Sequence, residues 1–364
     1  MRAPSAPDSG ASARHNRWRL PGWCRSLVPV ALTLLSSAQA RAWNDFGHMQ
    51  IAAVAFRGLG PEVRVRVAQL LRLNPRYPTW TAGVRTGDAD RVAFMRAATW
   101  ADSIKGDRSY SKSDRSAPAP LGKLGYADHF RHDDWHFVDV PFSPDGTRLV
   151  PPRVPNLSSE LPALEAELVA ADTTDDRRSY ALVWLLHLVG DAHQPLHCVS
   201  RFDASDPVGD RGGNDVEIAG NIQPPICDDP RFYPLGPPGQ LHAFLDSITG
   251  SSSDPGAVDR AVAALPPVEP RMAAISDPNL WIAEGVDLAR RIVYTTPIGI
   301  GDGPFAVGPA YQRTAYELAQ RRIALAGARL ARLLNASLRR SAPASCGADS
   351  CDTLGMGRAN TPTP

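Results

Sequence analysis

Two histidine–aspartate pairs share one spacing: His187 with Asp191 and His242 with Asp246, each at i and i+4. On a helix that spacing sets both side chains on one face, one turn apart. The first pair lies in or against the apolar run Ala181–Gly190, where an imidazole and a carboxylate need a partner to be buried. A single pair is satisfied by an ordinary hydrogen bond in a core. A second pair on another segment, with His197 just past the turn at Gln194-Pro195, points instead to a polynuclear metal site built between helices. Trp100-Ala101-Asp102 and Trp135-His136-Phe137 each add a ligand in an aromatic, water-poor setting, with His129 and His132 competing with His136. His193 and Gln194 read as supporting groups, since a ligating imidazole needs its other nitrogen held.

A further ligand comes from the chain start. Trp43 follows Ala40-Arg41-Ala42 and precedes His48 by five residues. Residues 1–25 carry Arg14, Arg17, Arg19 and Arg25 against one acid, Asp8, and lead into the apolar run Leu27–Leu35 and then two overlapping A-x-A sites. This is a secretory signal, and the run, interrupted by Pro29, falls short of the roughly 20 residues of a membrane span. Cleavage after Ala42 frees the α-amine of Trp43 as a metal ligand; cleavage after Ala40, the rival, does not. The candidate ligands are Trp43, His48, Asp102, His136, His187, Asp191, His197, His242 and Asp246, all nitrogen or oxygen donors of the kind zinc accepts.

Removing residues 1–42 takes six of the 39 Lys and Arg and one of the 38 Asp and Glu, leaving a net charge of −4. A mildly acidic chain lacks the electrostatic footprint of a duplex-DNA binder, so any nucleic-acid contact is local and draws its charge from bound cations. Lysine occurs only at 105, 112 and 123. Cys198, Cys227, Cys346 and Cys351 remain, an even number in an exported chain, and loop proximity favours Cys198–Cys227 and Cys346–Cys351 among three pairings. No C-x-x-C spacing suggests sulfur ligation.

The elements that must position these groups are helical. Apolar residues recur at three- and four-residue intervals over Val63–Leu73, Leu161–Ala171, Tyr180–His193, Gln240–Ile248 and Tyr311–Leu338, and no series of alternating strands is evident. The fold class is all-α. Long Pro- and Gly-rich loops at 105–128, 141–157 and 203–239 exceed normal connections, as functional or disordered segments do. Three segments result: a signal peptide at 1–42, one helical domain at 43–340, and a low-complexity tail at 341–364.

Taken together, Trp43-Asn44-Asp45-Phe46-Gly47-His48, Trp100-Ala101-Asp102, His136-Phe137-Val138-Asp139, the block His187–His197, Gly212-Gly213-Asn214 and Leu241–Asp246 resemble the zinc-dependent single-strand nucleases and 3′-nucleotidases. That family shares a trinuclear-zinc helical core with bacterial zinc phospholipase C. The resemblance implies three zinc ions: one on Asp102, His136, His187 and Asp191, one on His197, His242 and Asp246, and one on the amine and carbonyl of Trp43 with His48 and Asp191, which bridges. It also makes Asp102 and Lys105 catalytic, the lysine stabilising the transition state. Phe137 would stack a base, Asp139 would bind its edge, and Asn214 would lie beside that pocket.

The expected activity is that of a secreted or periplasmic, monomeric phosphodiesterase. It would hydrolyse single-stranded DNA and RNA to 5′-phosphorylated products, with 3′-nucleotidase activity as a further implication and no stable membrane association. Alternatives are a phospholipase C-type enzyme on the same core and a non-catalytic zinc-binding protein. The chain departs from the family pattern in longer Asp102–His136 and His197–His242 segments, and in Pro141 and Ser247, where some members place polar substrate-contacting groups.

Overall fold

In the computed structural model, residues 43–112, 128, 130–220 and 239–340 are described. The signal segment, His129, Cys227, Cys346, Cys351 and the C-terminal tail lie outside them. The helices are α1 (Asp45–Gly58), α2 (Pro61–Leu73), α3 (Tyr77–Thr81), α4 (Ala89–Ala97), α5 (Trp100–Ser103), α6 (Leu157–Val169), α7 (Asp175–Asp191), α8 (Leu241–Ser247), α9 (Pro255–Ala263), α10 (Pro270–Ala273), α11 (Pro278–Leu288) and α12 (Pro309–Arg340). All five stretches expected from periodicity are helices, and the all-α fold class holds.

α7 is the axis of the fold. Thr174 caps it by accepting from Arg177 N, and Asp175 and Asp176 place negative charge in its first turn, where the helix dipole favours it. From Ser179 to Asp191 every residue is buried. A helix buried all round must be covered all round, and α1, α2, α5, α6 and α12 supply that cover. It ends where Pro195 denies Gln194 a helical backbone and the chain turns back through Pro195–His197.

Four short strands were not foreseen. β1 (Val140–Phe142) pairs in parallel with β2 (Val199–Arg201), Val140 opposite Val199, and β3 (Ile218–Ala219) pairs in parallel with β4 (Phe305–Ala306). Two or three residues are too few to show alternation, and β2 is buried throughout, so its pattern carries no period. Their work is local: β1 and β2 lock the residues after His136 beside those after His197.

Of the expected Cys198–Cys227 pair, only Cys198 lies among the described residues. Cys198 is a free, buried thiol whose Sγ faces the carbonyls of Ala192 and Gln194 at 3.7 and 3.6 Å. It packs so closely on α11 that a Cβ on Gly285 would come within 2.4 Å of the sulfur. Burial pushes the thiol up to about 12.

His193 is built into the core, away from the other imidazoles. Its Nδ1–H donates to Val189 O at 2.7 Å, and its Nε2 accepts from Arg329 Nη1 at 2.9 Å. Arg329 and Arg322 of α12 both bind Glu284 of α11. Burial alone would raise the Glu284 carboxyl, but these bonds outweigh it and hold it below its usual range.

Candidate metal centre

The site forms where six segments meet. α1 brings His48, α5 Asp102, the turn Asp133–His136 brings His136, α7 His187 and Asp191, the turn Pro195–His197 brings His197, and α8 His242 and Asp246. All eight side chains are essentially inaccessible to water, none more than 5% exposed. Trp43 is fully buried alongside them; its indole Nε1–H donates to Gly190 O at 3.1 Å, and Asn44 N donates to Asp246 O. Gly190 is required there, since a Cβ would lie 2.8 Å from His48 Nδ1.

Backbone carbonyls orient the imidazoles. His187 Nδ1–H donates to Ala98 O, His197 Nδ1–H to His136 O and His242 Nδ1–H to Gly212 O, each at 2.7 Å. Each ring is thereby left with a lone pair on Nε2 aimed at the cluster. Gly212, at φ +63°, presents its carbonyl from a left-handed turn pressed so close to Leu196 O that a Cβ would meet it at 2.1 Å. Gln194 Nε2 donates to Asp246 Oδ1 at 2.7 Å, as expected of a supporting group.

The donor atoms form three groups suited to a cation, each within 4.8 Å: His136, His187 and Asp191; His48, Asp102 and His187; and His197, His242 and Asp246. His136 Nδ1 lies 3.1 Å from both Asp191 Oδ2 and His187 Nε2, and 3.7 Å from Asp102 Oδ1. His187 Nε2 lies 3.4 Å from Asp191 Oδ2 and 3.7 Å from Asp102 Oδ1. Four ligands about 2.0–2.1 Å from a tetrahedral ion stand roughly 3.3 Å apart, so these edges fit zinc. His48 Nε2 lies 3.4 Å from Asp191 Oδ1, the oxygen turned away from that group, which suits a bridging carboxylate.

The strongest case is His197 and His242. Their Nε2 atoms face each other at 3.0 Å while both Nδ1–H groups are committed to carbonyls. Two neutral imidazoles so placed oppose lone pair to lone pair. Protonating one would relieve the clash, but burial holds both below the usual imidazole range, His242 at about 4. A cation between them removes the conflict, and Asp246 Oδ2, 3.4 Å from His242 Nε2, supplies charge. Both nitrogens of His48, His136 Nε2, Asp102 Oδ2 and Asp191 Oδ1 are buried without hydrogen bonds among the described residues. Unsatisfied buried groups in such number mark a site made to hold something else. Burial, then repulsion from Asp102, raises Asp191 well above the carboxylate range, with Lys105 opposing.

Lys105 is buried, its Nζ 2.7 Å from Asp102 Oδ1. Phe137 follows His136 in extended backbone, Val138 is buried, and Val140 N donates back to Val138 O across Asp139 at 2.9 Å. Phe137 is half-buried. Asp139 is pushed up to about 6 by burial and then by Asp210 and Asp134, with Arg211 opposing. Asn214 Nδ2 donates to Arg211 O at 2.7 Å, across its own turn. His132 stands apart: it stacks on Trp135 at 3.6 Å and bonds Asp128 at 2.9 Å. Unforeseen from sequence were the orienting carbonyls of Ala98, His136 and Gly212. The packing of Arg201 against Asp203, Asp210 and Tyr294, which holds the turn before Gly212, was also unforeseen. No residue-type signal marks a carbonyl.

A helical scaffold that turns imidazoles and carboxylates from separate helices onto one water-free focus defines a helical protein able to hold metal ions. Residues 43–339 match the S1/P1 nuclease family, and the chain belongs to it: the zinc-dependent single-strand nucleases. It is thus a nuclease-type hydrolase of phosphodiesters. No curated protein matched the chain. Among the described residues no helix is long and apolar enough to cross a membrane.

Proposed function

We propose that this chain is an exported, monomeric endonuclease that hydrolyses single-stranded DNA and RNA to 5′-phosphorylated products on three zinc ions, with 3′-nucleotidase activity. The observation that carries the reading is the pair of opposed imidazole lone pairs at 3.0 Å beside two further groups of converging donors. Asp102, His136, His187 and Asp191 would hold one zinc, His197, His242 and Asp246 a second, and His48 and Asp191 with the Trp43 amine a third. Bound zinc supplies Lewis acidity toward phosphoryl oxygens and lowers the pKa of water toward neutrality.

The protein's own groups do the rest. Lys105, held by Asp102, places a cation beside the donor cluster, where it would offset the negative charge that develops on the phosphoryl oxygens, in surroundings that water does not screen. The Phe137 ring offers a platform on which any base can stack, suiting an unpaired strand of any sequence. Asp139 accepts from donors on the base edge once ionised. Incubating the zinc-loaded protein with single-stranded DNA, RNA and phosphatidylcholine side by side tests the reading; cleavage of the lipid alone would replace it with the phospholipase alternative.

Export and metal binding are linked at Trp43. The mature protein is expected to begin at Trp43, and one additional residue before it to lower bound zinc from three equivalents toward two. N-terminal sequencing with zinc quantification checks this. An active protein starting at Arg41 with three zinc ions would overturn it.

Phe137→Ala and Asp139→Ala are expected to leave zinc content intact and to weaken oligonucleotide binding. Loss of an aromatic platform costs about 1–3 kcal/mol per stacked base, roughly five- to a hundredfold in kcat/KM. Hydrolysis of a small activated phosphodiester lacking a base should change far less. Equal losses on both substrates would place Phe137 in the chemistry rather than in recognition.

A further inference from the structure

Arg211 is the residue at the rim of this site whose placement the preceding argument leaves unused. It is not glycine, yet its φ is +52°, in the left-handed region that side chains other than glycine, asparagine and aspartate rarely adopt. Gly212 and Gly213 continue in the same sense, at +63° and +79°. The turn is held on three sides: Arg211 N donates to Ser200 Oγ on β2, Arg211 O accepts from Asn214 Nδ2, and Gly212 O accepts from His242. Strain kept at a site so thoroughly braced is a reason to look for a role in the side chain it displays.

That side chain is prepared rather than loose. Asp215 grips one edge of the guanidinium, taking Nε at 2.8 Å and Nη2 at 2.5 Å, while Nη1 has no hydrogen-bond partner among the described residues. The side chain is 67% exposed. Its charge reaches two places: it opposes the upward shift of Asp139 and contributes to the downward shift of His242. The guanidinium thus springs from the turn whose next residue, Gly212, orients His242, beside one group of metal donors. Arg201, ten residues earlier, is buried, its Nη1 and Nη2 donating to the carbonyls of Gly299 and Gly301 and its Nε facing Asp203 and Asp210.

A strand lying with one base on Phe137 and its scissile phosphate at the donors carries further phosphates along the rim. We propose that Arg211 binds a non-scissile phosphate of the single-stranded substrate and so sets the preference for a polynucleotide over a single nucleotide. The assignment rests on the nuclease reading above. A planar guanidinium fixed by one carboxylate presents its remaining N–H groups to phosphate oxygen with little ordering cost, which lysine does not match.

The test compares wild type with Arg211→Gly, which accepts the left-handed backbone without strain and removes only the side chain, and with Arg211→Lys, which retains charge. Zinc content is measured on each. Kinetics are measured on a single-stranded oligonucleotide and on a nucleoside 3′-phosphate over a range of salt. Arg211→Gly is expected to raise KM for the oligonucleotide about tenfold with little change in kcat, and so to cut selectivity for it over the nucleotide by a similar factor. The slope of log kcat/KM against log salt should flatten by about 0.7, the loss of one phosphate contact to a single strand, and Arg211→Lys should restore most of that slope. An unchanged slope, or equal losses on the two substrates, overturns the assignment while leaving the nuclease reading intact. Failure of wild type to cleave the oligonucleotide at all overturns both.

Discussion

Asp191→Asn is expected to strip zinc from the protein and to lower turnover at least about 10³-fold, the range seen when groups that stabilise transition-state charge are removed. Asp191 Oδ2 faces His136 and His187 while Oδ1 faces His48, so one carboxylate serves two groups of donors. An amide keeps the shape and removes the charge that offsets two cations. Burial and the neighbouring carboxylate of Asp102 push the Asp191 carboxyl up, so the unmetallated cluster is costly and metal binding also stabilises the fold. Zinc analysis and thermal unfolding with and without chelator measure both effects. His193→Ala is the control: its ring binds Arg329 and Val189 O, away from the donors, so it should lower the unfolding temperature and retain zinc. Zinc occupancy in Asp191→Asn equal to wild type would contradict the bridging assignment.

Lys105→Met is expected to lower kcat by about 10²–10³ while leaving zinc content and KM nearly unchanged. Lys105 Nζ lies 2.7 Å from Asp102 Oδ1, and methionine fills much of the same buried space. The ammonium supplies positive charge where water cannot screen it. Single-turnover kinetics on an oligonucleotide isolate the chemical step. A fall in zinc content parallel to the fall in rate would make Lys105 a structural counter-ion to Asp102 instead.

Much of the candidate site was legible because helical spacing is itself geometry. His187 and Asp191, like His242 and Asp246, fall on one face of any helix containing them, and both segments are helices here. The aromatic neighbours of Asp102 and His136 correctly marked dry surroundings: Trp100, Trp135 and Trp184 pack edge-on or tilted around that side of the cluster. The choice among His129, His132 and His136 was not legible. Three histidines within eight residues are equivalent by type, and His136 was separated from His132 only by which ring turned toward α7 and which stacked on Trp135.

The cysteine pairing was not legible for a related reason. Even number and exported context say nothing about which way a side chain points, and Cys198 points into the seam between the turn after α7 and Gly285. Residue types and periodicity sufficed for the helical class and for the pairing of His187 with Asp191 and of His242 with Asp246 on one helix face, because these depend on composition and on one repeat length. Tertiary packing alone settled the lone pairs. Carbonyls of Ala98, His136 and Gly212, from three separated segments, pin the Nδ1–H groups and turn each Nε2 inward, and a backbone oxygen is the same at every residue.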